Sequence, residues 1–402
     1  MIWRRMGFTL RPAYPLIVRL TGQTSAGPLL APMLKVDMVM IRVAVPDDLE
    51  ALLALELSCF PGDRLSARQF RRFIKSDTSR TLIAEQDGRL LGYALVLFHH
   101  RTHLARLYSL AVAGAQRGQG IGHQLLAACE ATAVELGYLT LRLEVRQDND
   151  EAKRLYLKQG YRPIRVLAHY YDDAADGVRL EKRLQPGQLP HLLPIPYYAQ
   201  TLPFTCGPAC LLMAQAALQP EFALSRRHEV QIWREATTVF MTTGHGGCSA
   251  LGLALAAHRR GLHPNVWISQ TRTPFLRGVR SDSKRQVMEL VQSDFEQQLA
   301  EAGIMPTVRR PSLEELEQEL KSGHPVLVLI STWRLTGDKA PHWVELIGMD
   351  AQFVFFHDPD VDSSRDRLAS AMQVPVRRDD FYGMMQYGKE RFSAALALTL
   401  QA

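Results

Sequence analysis

The sequence predicts two globular domains that combine helices and strands, a chain of α/β and α+β class. At roughly 150 residues per domain, its 402 residues favour two domains. Hydrophobic residues make up 47% of the chain, which is typical of proteins that bury a core. Helix and strand patterns are interleaved from Ile41 onward, and one proline-rich stretch interrupts them.

That proline-rich stretch separates the two halves of the chain. Four prolines and one glycine lie between residues 185 and 196, which favours a semi-rigid linker because proline cannot donate to a strand neighbour. We therefore expect an extension at 1–39, a first domain at 40–184, a linker at 185–192 and a second domain at 193–402.

The predicted extension shows no clear period and contains four prolines. Arg4 and Arg5 are followed by an apolar stretch that further arginines and prolines interrupt, which makes a poor signal peptide. Because Met33, Met38 and Met40 lie just before the first regular pattern, a disordered extension and an artefact of start-site choice both stay open.

The first domain alternates between helix and strand patterns. Pro46 opens an apolar-periodic stretch of leucines that predicts a helix. Asp87-Gly88 is a hairpin turn between two strand patterns. Ile121 begins a helix whose apolar residues recur every four positions. The predicted strands are 81–85, 90–98, 104–112 and 139–145, and a short helix runs from about 150 to 160.

The second domain has a comparable mixture. Ser312 and Glu315 form a capping box, which predicts the start of a helix. Two apolar runs flank Asp350-Ala351 and predict a hairpin that brings His342 opposite Asp358. The predicted helices follow 206, span about 250–260 and span 313–321, and the predicted strands are 326–330, 343–349 and 353–357.

A glycine-rich loop precedes the helix of the first domain. It consists of Arg117, Gly118, Gln119, Gly120, Ile121 and Gly122. Glycines let the backbone approach an anion, and a helix start offers unpaired N–H groups at the positive end of its dipole. The loop therefore predicts a pyrophosphate site. It lacks the Gly-Lys-Ser/Thr of a Walker loop.

With this loop, residues 41–184 resemble the GNAT acetyltransferase superfamily, whose fold is a mixed twisted sheet flanked by helices. Further stretches are similar to its ribosomal-protein N-terminal acetyltransferase branch: Leu143–Arg146, Asn149, Leu155-Tyr156, Gly160-Tyr161 and Tyr170-Tyr171. The resemblance implies acetyl-CoA as cofactor and an amine acceptor, which we expect to be a peptide or protein N-terminus.

The resemblance also implies roles for single residues. Glu144 is expected to take a proton from the acceptor ammonium, and the Tyr156 hydroxyl to protonate the leaving thiolate. A strand bulge is expected to offer main-chain groups to the pantetheine arm. The residues implied in cofactor binding are Leu110, Ala111, Val112, Asn149 and Tyr156, together with Arg117–Gly122.

A second candidate site begins at Cys206. The following Gly207-Pro208 predicts a loop that runs into a helix, since proline is tolerated in the first helical turn. A thiolate at a helix N-terminus is stabilised by the dipole, and a nucleophilic cysteine also needs a nearby base. His342 is the candidate base and Asp358 the carboxylate that orients it. Gln200 is a candidate amide donor to an oxyanion.

These residues resemble the papain-like cysteine peptidases that trim leader peptides for bacteriocin exporters. The resemblance covers about 193–375 and rests on Gln200, Cys206–Ala209, His342 and Asp358-Pro359. It implies a papain-like peptidase domain. The chain has Thr205 where that family often has an acidic residue, and it contains no exporter membrane segments.

Alternatives stay open for the second domain. Cys248 follows His245 and two glycines and is a rival nucleophile, although two glycines also simply make a turn. The chain is either a bifunctional enzyme or an acetyltransferase with an inactive peptide-binding module. A third interpretation is that the first domain only senses acetyl-CoA and regulates its neighbour.

Charge and cysteine content exclude several classes of protein. A net charge of +6 without a dense basic stripe argues against a nucleic-acid partner. Apolar runs are shorter than the roughly 18 residues that a membrane span requires. The five cysteines lack zinc-like spacing, which predicts that there is no metal site. Their number is odd and their spacing is not paired, which favours a reducing compartment and therefore a cytoplasmic protein. The oligomeric state is left open.

Overall fold

The structure of the protein is a computed structural model that describes residues 39–60, 62, 64–98, 102–184, 191–237, 240–241, 244–276, 279, 281–335, 340–360 and 371–401. The chain divides into two compact units. The first consists of residues up to His99 and Ala105–Gln185, and the second of His100–Leu104 and Pro186–Ala402. Most of the predicted extension (1–38) and linker (185–190) lies outside the described residues.

The first unit is built on a seven-stranded sheet with the order β1-β2-β3-β4-β5-β7-β6. Neighbours are antiparallel from β1 to β4 and again from β5 through β7 to β6. The strands are β1 (Met40–Val43), β2 (Ser79–Gln86), β3 (Arg89–Phe98), β4 (Leu104–Val112), β5 (Thr140–Arg146), β6 (Arg162–Leu167) and β7 (Gly177–Arg183).

Four helices cover this sheet and form a core on each side. They are α1 (Leu49–Cys59), α2 (Ala67–Lys75), α3 (Ile121–Glu135) and α4 (Asp150–Lys158). Successive strand residues point to opposite faces. Leu82 therefore packs with residues of α3, and Ile83 packs with residues of α1 and α2.

The sequence predicted the first unit's central elements correctly. The Asp87-Gly88 turn is confirmed, and both residues have positive φ, 50° and 74°. Such a two-residue turn matches the twist of a hairpin. The helix that starts at Ile121 is also confirmed, and its buried residues are Ile121, Leu125, Leu126, Cys129 and Ala133.

The second unit contains another seven-stranded sheet, with the order β11-β10-β16-β12-β13-β14-β15, and a two-stranded ribbon. The strands are β8 (Phe240–Met241), β9 (Gly244–His245), β10 (Leu262–Ile268), β11 (Thr307–Val308), β12 (Val326–Ser331), β13 (Pro341–Met349), β14 (Phe353–His357), β15 (Val374–Arg377) and β16 (Ala394–Leu400). The helices are α5 (Cys206–Leu218), α6 (Arg226–Ala236), α7 (Ala250–His258), α8 (Asp282–Glu301), α9 (Leu313–Lys321) and α10 (Arg378–Met384).

The hairpin of β13 and β14 positions the second candidate site. Its turn is built by Asp350, whose Oδ1 accepts from the backbone N–H of Phe353 at 2.7 Å. Leu346 pairs with Phe356, and the register shifts once between Leu346 and Gly348. The predicted hairpin is therefore confirmed, and so is the capping box of Ser312 and Glu315 at α9. The predicted register is wrong by about two residues, because Glu345 pairs with His357 and Asp358 therefore does not lie directly opposite His342.

None of the helices that the structure describes combines the length and the apolar composition needed to cross a bilayer.

Candidate active sites

The loop before α3 has the geometry of an anion cradle. Gly118 and Gly120 have φ of +77° and +80°, which residues with a side chain rarely adopt. Gly120 is the N-cap of α3, so the first N–H groups of that helix point out of it without intrahelical acceptors. A Cβ at Gly118 or Gly120 would meet no described atom within 4 Å. The backbone is thus open to a ligand, and Arg117 is exposed beside it.

The end of β4 lies next to this helix start. A Cβ on Gly122 would lie 3.8 Å from Leu110, 3.7 Å from Val112 and 3.6 Å from Leu155. The structure therefore brings together the loop, the end of β4 and α4. Ala111 points the other way, into the core against α1 and α2.

The predicted bulge lies elsewhere in the pairing of β4 with β3. Residues Leu110, Ala111 and Val112 pair regularly with β3, and the irregularity falls at Tyr108, between Ser109 and Leu107. The prediction of a bulge at 110–112 is therefore wrong for this pair of strands. The expected position came from the resemblance to the GNAT superfamily, and an extra residue in a strand is not visible in the sequence pattern itself.

Two further polar residues predicted to bind the cofactor, Gln119 and Asn149, are exposed. Asn149 is the N-cap of α4, and its Oδ1 accepts from the backbone N–H of Ala152 at 3.1 Å. Gln119 donates from Nε2 to the carbonyl of Ala115 at 3.3 Å. Each thus shapes the backbone next to the predicted cofactor path.

Tyr156 lies on α4 and is 7% exposed. Its ring meets that of Tyr161 edge-on, with centroids 5.7 Å apart. Burial raises the pKa of the Tyr156 phenol above its ordinary value. The hydroxyl is therefore protonated at neutral pH, the state that a proton donor requires.

Glu144 on β5 is held between two arginines. Its two carboxylate oxygens accept from Nε of Arg106 and of Arg179, each at 2.8 Å. Burial alone would raise the pKa of Glu144, but the two guanidinium groups outweigh it and the pKa is lowered. Such a carboxylate is a weak base, so this environment is unfavourable to the predicted proton-acceptor role.

The two predicted tyrosines lie beside this ion-pair cluster. Arg106 donates to the Tyr170 hydroxyl at 2.9 Å. The rings of Tyr170 and Tyr171 meet edge-on at 5.2 Å, and Arg146 stacks over Tyr171 at 5.1 Å. Glu144 thus orients Arg106, and Arg106 in turn orients the Tyr170 hydroxyl.

In the second unit, Cys206 is the first residue of α5 and Thr205 is its N-cap. A Cβ on Gly207 would meet Leu253 at 2.9 Å and Trp343 at 3.1 Å. Only glycine therefore lets α5 approach β13 closely at this point. Cys206 is among the groups that raise the pKa of His342 on β13.

His342 also contacts the predicted carboxylate. Its Nε2 lies 2.7 Å from Oδ1 of Asp358. Burial lowers the pKa of His342, but Asp358 and Cys206 outweigh burial and raise it well above its ordinary value. The imidazolium form of His342 is thus favoured, which is the state that a proton donor to a leaving group requires.

Two other cysteines near Cys206 are buried thiols. Burial, with the nearby Cys206 as a further cause, raises the pKa of Cys248 well above its ordinary value. Burial has the same effect on Cys210, to which Glu345 contributes. Both therefore stay protonated at neutral pH, which disfavours Cys248 as the rival nucleophile. The side chain of His245 lies outside the described residues.

Comparisons with known proteins agree with this division of the chain. The profile of the Peptidase_C39 like family matches residues 195–399, more than half of the chain. The profile of the Acetyltransferase (GNAT) family matches residues 49–161. The N-terminal acetyltransferase A complex catalytic subunit NAA10 of Arabidopsis thaliana is 33% identical over 157 residues, which cover 38% of this chain and 81% of that protein.

The chain belongs to both families.

Two further proteins are similar to the acetyltransferase domain. One of Bacillus subtilis, named for [ribosomal protein bS18]-alanine N-acetyltransferase activity, is 27% identical over 32% of this chain and 83% of its own length. The crystal structure of the ribosomal-protein-S18-alanine N-acetyltransferase from Escherichia coli is 23% identical, with a TM-score of 0.35, over 38% of this chain and 97% of that one.

In the C39-like domain, sequence reasoning missed two carboxylates. Glu229 on α6 is fully buried and accepts from the Tyr198 hydroxyl at 2.9 Å. Asp360 accepts from Nε2 of Gln200 at 3.1 Å. Glu229 left no signal in the sequence, because the helix 226–236 was not predicted and an acidic residue in such a stretch is usually exposed. Asp360 follows Asp358-Pro359 and likewise left no signal.

Proposed function

We propose that the acetyltransferase domain transfers the acetyl group of acetyl-CoA to an α-amine. The observation that carries this proposal is the N-terminus of α3, where Gly118 and Gly120 leave backbone N–H groups open to an anion. Arg117 adds a positive charge that suits a pyrophosphate. The apolar side chains of Leu110, Val112 and Leu155 next to Gly122 suit an uncharged arm that continues from it.

A peptide or protein N-terminus is the acceptor that we propose. Relatives of the domain are named as the catalytic subunit of an N-terminal acetyltransferase complex and for acetylation of a ribosomal-protein alanine. The motif shared with that branch includes Tyr156 and the pair Tyr170-Tyr171. These names and residues support the proposal together.

In this reaction the acceptor amine must lose a proton and the departing thiolate must gain one. Acetyl-CoA, when bound, supplies the activated acetyl group. The buried Tyr156 hydroxyl holds the proton for the thiolate, because its raised pKa keeps it protonated. The ionised Glu144 orients Arg106 and Tyr170, and we assign it that positioning role in place of direct proton abstraction.

For the C39-like domain we propose cysteine-dependent cleavage of a peptide bond. The Cys206 thiolate attacks the carbonyl carbon, and the C–N bond breaks as His342 gives its proton to the leaving amine. Water then hydrolyses the thioester and restores the thiol. Asp358 orients His342, and the Gln200 amide is the proposed donor to the oxyanion.

Two alternatives predict different behaviour of Cys206. An inactive peptide-binding module needs no reactive thiol at Cys206. In a domain regulated by acetyl-CoA, the reactivity of Cys206 changes only when acetyl-CoA is present. Limited alkylation with iodoacetamide at pH 6, with and without acetyl-CoA and read by peptide mapping, separates them. We expect Cys206 to react first and His342→Ala to abolish its advantage over free cysteine. Labelling of Cys248 ahead of Cys206 would contradict the assignment.

We also propose a cytoplasmic location. All five cysteines of the chain are free thiols, which suits a reducing compartment. Fractionation of cells that produce the protein, followed by thiol counting in the purified chain, tests this. Recovery outside the cytoplasm with Cys206 in a mixed disulfide would contradict it.

A further inference from the structure

Residues 198–205, here called the nucleophile loop, lead directly into Cys206 and carry Gln200. They contain no regular secondary structure, so side chains from elsewhere must fix their course. Two carboxylates contact the loop, one from α6 and one from the turn after β14. Neither belongs to the Cys206, His342 and Asp358 set.

Glu229 contacts the nucleophile loop at its start, its middle and its end. Its carboxylate accepts from the backbone N–H of Thr201 at 2.8 Å and from the Thr201 hydroxyl at 2.6 Å. It also accepts from the hydroxyls of Tyr198 and Thr205. A buried carboxylate is costly unless it is fully hydrogen-bonded, and every donor here comes from the nucleophile loop.

Thr205 joins this arrangement at the start of α5. It stands immediately before the nucleophile, and its hydroxyl donates to Glu229. The carboxylate that contacts residue 205 thus comes from α6, 24 residues further along the chain. The hydrogen bond from Thr205 to Glu229 therefore fixes the nucleophile loop at the N-cap of α5, next to Cys206.

Asp360 holds Gln200. The Gln200 backbone N–H donates to the carbonyl of Pro359 at 2.9 Å, and its Nε2 donates to Oδ1 of Asp360 at 3.1 Å. The opposite amide atom, Oε1, is buried and has no partner among the described residues. Flipping the amide would set two acceptors, Oε1 and the Asp360 carboxylate, against each other. Asp360 therefore fixes which end of the amide is the donor.

We propose that Glu229 and Asp360 are positioning residues of the C39-like site, which hold the nucleophile loop so that Gln200 presents its second Nε2 hydrogen to the oxyanion. This proposal rests on the proposed function of the domain. It adds which residues hold the Gln200 amide in place before the reaction begins. An amide that must be oriented during the reaction stabilises the oxyanion less than one that is already fixed.

Two small probes separate this role from that of the nucleophile. Iodoacetamide alkylates a thiolate by displacement of iodide, without an oxyanion. p-Nitrophenyl acetate acylates the thiolate through a tetrahedral oxyanion and releases p-nitrophenolate. In the purified full chain, with Cys206→Ala as the background, both rates are measured at Cys206.

The expected result is a selective loss of acylation. Removal of one oxyanion donor costs about 100- to 1,000-fold, so we expect Gln200→Ala to approach that range and Asp360→Ala to lose about tenfold. Both should leave alkylation within about twofold. The double variant Gln200→Ala/Asp360→Ala should acylate no more slowly than Gln200→Ala, because the two residues act through one amide.

Glu229→Gln is tested in the same way. Two variants of Thr201, which leave the Glu229 carboxylate in place, are tested with it. Thr201→Val removes one donor to Glu229 and should slow acylation, whereas Thr201→Ser keeps the hydroxyl and should not. Asp294→Ala is the control for Asp360→Ala, since Asp294 also accepts from a glutamine amide, that of Gln298 at 2.7 Å on α8.

The outcomes distinguish this proposal from the proposed function. Equal loss of acylation and alkylation in Asp360→Ala, or additive losses in the double variant, would overturn the positioning role while leaving Cys206 as the nucleophile. If wild-type Cys206 reacts with neither probe faster than free cysteine, the peptidase function fails and the positioning role falls with it.

The pairing of two families in one chain carries a second inference, which rests on both parts of the proposed function. Hydrolysis of a peptide bond consumes one water and leaves a carboxylate and a new α-ammonium. Acetyl transfer consumes that amine and acetyl-CoA and releases CoA thiol and one proton. We infer that cleavage by the C39-like domain supplies the amine that the acetyltransferase domain acetylates.

A synthetic peptide library with all amines dimethylated tests this order, because only newly formed N-termini can then be acetylated. The full chain is incubated with the library and deuterium-labelled acetyl-CoA, and products are identified by mass spectrometry. We expect labelled acetyl groups on new N-termini, none with Cys206→Ala, and free new N-termini with Tyr156→Phe. New N-termini that stay free with the wild type, while an unblocked library is acetylated, would overturn the order and leave both activities standing.

Discussion

Tyr156 is the single residue on which the acetyl-transfer chemistry depends most. Tyr156→Phe removes a proton donor and little volume, so we expect turnover to fall about 100- to 10,000-fold and acetyl-CoA affinity to change by less than about twofold. Tyr161→Phe is the matched control, since Tyr161 is also buried and its ring contacts that of Tyr156. Steady-state kinetics with a peptide acceptor measures both. A turnover of Tyr156→Phe within twofold of wild type would remove the proposed role.

Glu144 supplies a prediction about stability. Its folded pKa lies below the ordinary value of 4.5, so the stabilisation by its ion pairs is complete above that value and is lost as pH falls through the folded pKa. Breaking a buried ion pair costs about 3–5 kcal/mol. We therefore expect Glu144→Gln to destabilise the domain by about that amount at pH 7, with a difference from wild type that narrows below pH 4.5.

Urea unfolding across pH, followed by a signal of the acetyltransferase domain, measures this difference. Glu151→Gln is the control, because Glu151 is exposed on α4. A loss for Glu144→Gln that is independent of pH would contradict an ionised Glu144. A loss of activity without any loss of stability would favour direct proton abstraction over positioning.

Candidate site residues differ in how far sequence could locate them. Cys206 and His342 stand next to recognisable helix and strand starts, so pattern and turn geometry predicted their neighbourhood. The partners of Glu144 could not be predicted, because Arg106 comes from β4 and Arg179 from β7. Which charges meet across a sheet depends on register, and one residue of slip reverses the facing side chains.

At the scale of elements, the start of α3 gives the sharpest prediction. Gly120→Val places a β-branched residue at φ +80° and puts a side chain where the anion is proposed to bind. We expect acetyl-CoA affinity to fall at least about tenfold, because the backbone can no longer approach the pyrophosphate closely. Isothermal titration calorimetry measures the affinity.

Gly137→Val is the control for backbone strain. Gly137 follows the C-terminal end of the same helix, has φ +82°, and likewise has open space around a Cβ among the described residues. It should cost similar stability and leave acetyl-CoA affinity unchanged. Equal effects of the two substitutions on affinity would mean that the loop does not bind the cofactor.

Elements with a clear period were predictable, and uniformly apolar or irregular ones were not. The strand β16 reads Ala-Ala-Leu-Ala-Leu-Thr-Leu and is buried between β10 and β12. Its composition favours a helix as much as a strand. It forms a strand because it pairs with both β10 and β12. The helices α6 and α8 also escaped prediction, because polar residues dominate their outer faces.

At the scale of the whole molecule, the two families explain why one chain carries two sheets of seven strands each. The chain length and the proline-rich stretch predicted two domains before any contact was known. The boundaries proposed at 184 and 193 stay a prediction, since residues 185–190 lie outside the described part of the chain.

The central claim is that the first domain moves an acetyl group from acetyl-CoA to a peptide α-amine, and mass spectrometry of an unblocked peptide library with deuterium-labelled acetyl-CoA tests it most directly. We predict labelled acetyl groups on N-terminal amines with the wild type, strongly reduced with Tyr156→Phe and with Gly120→Val. Labelled acetyl groups found only on lysine side chains, or none on any peptide while acetyl-CoA binds, would contradict the account.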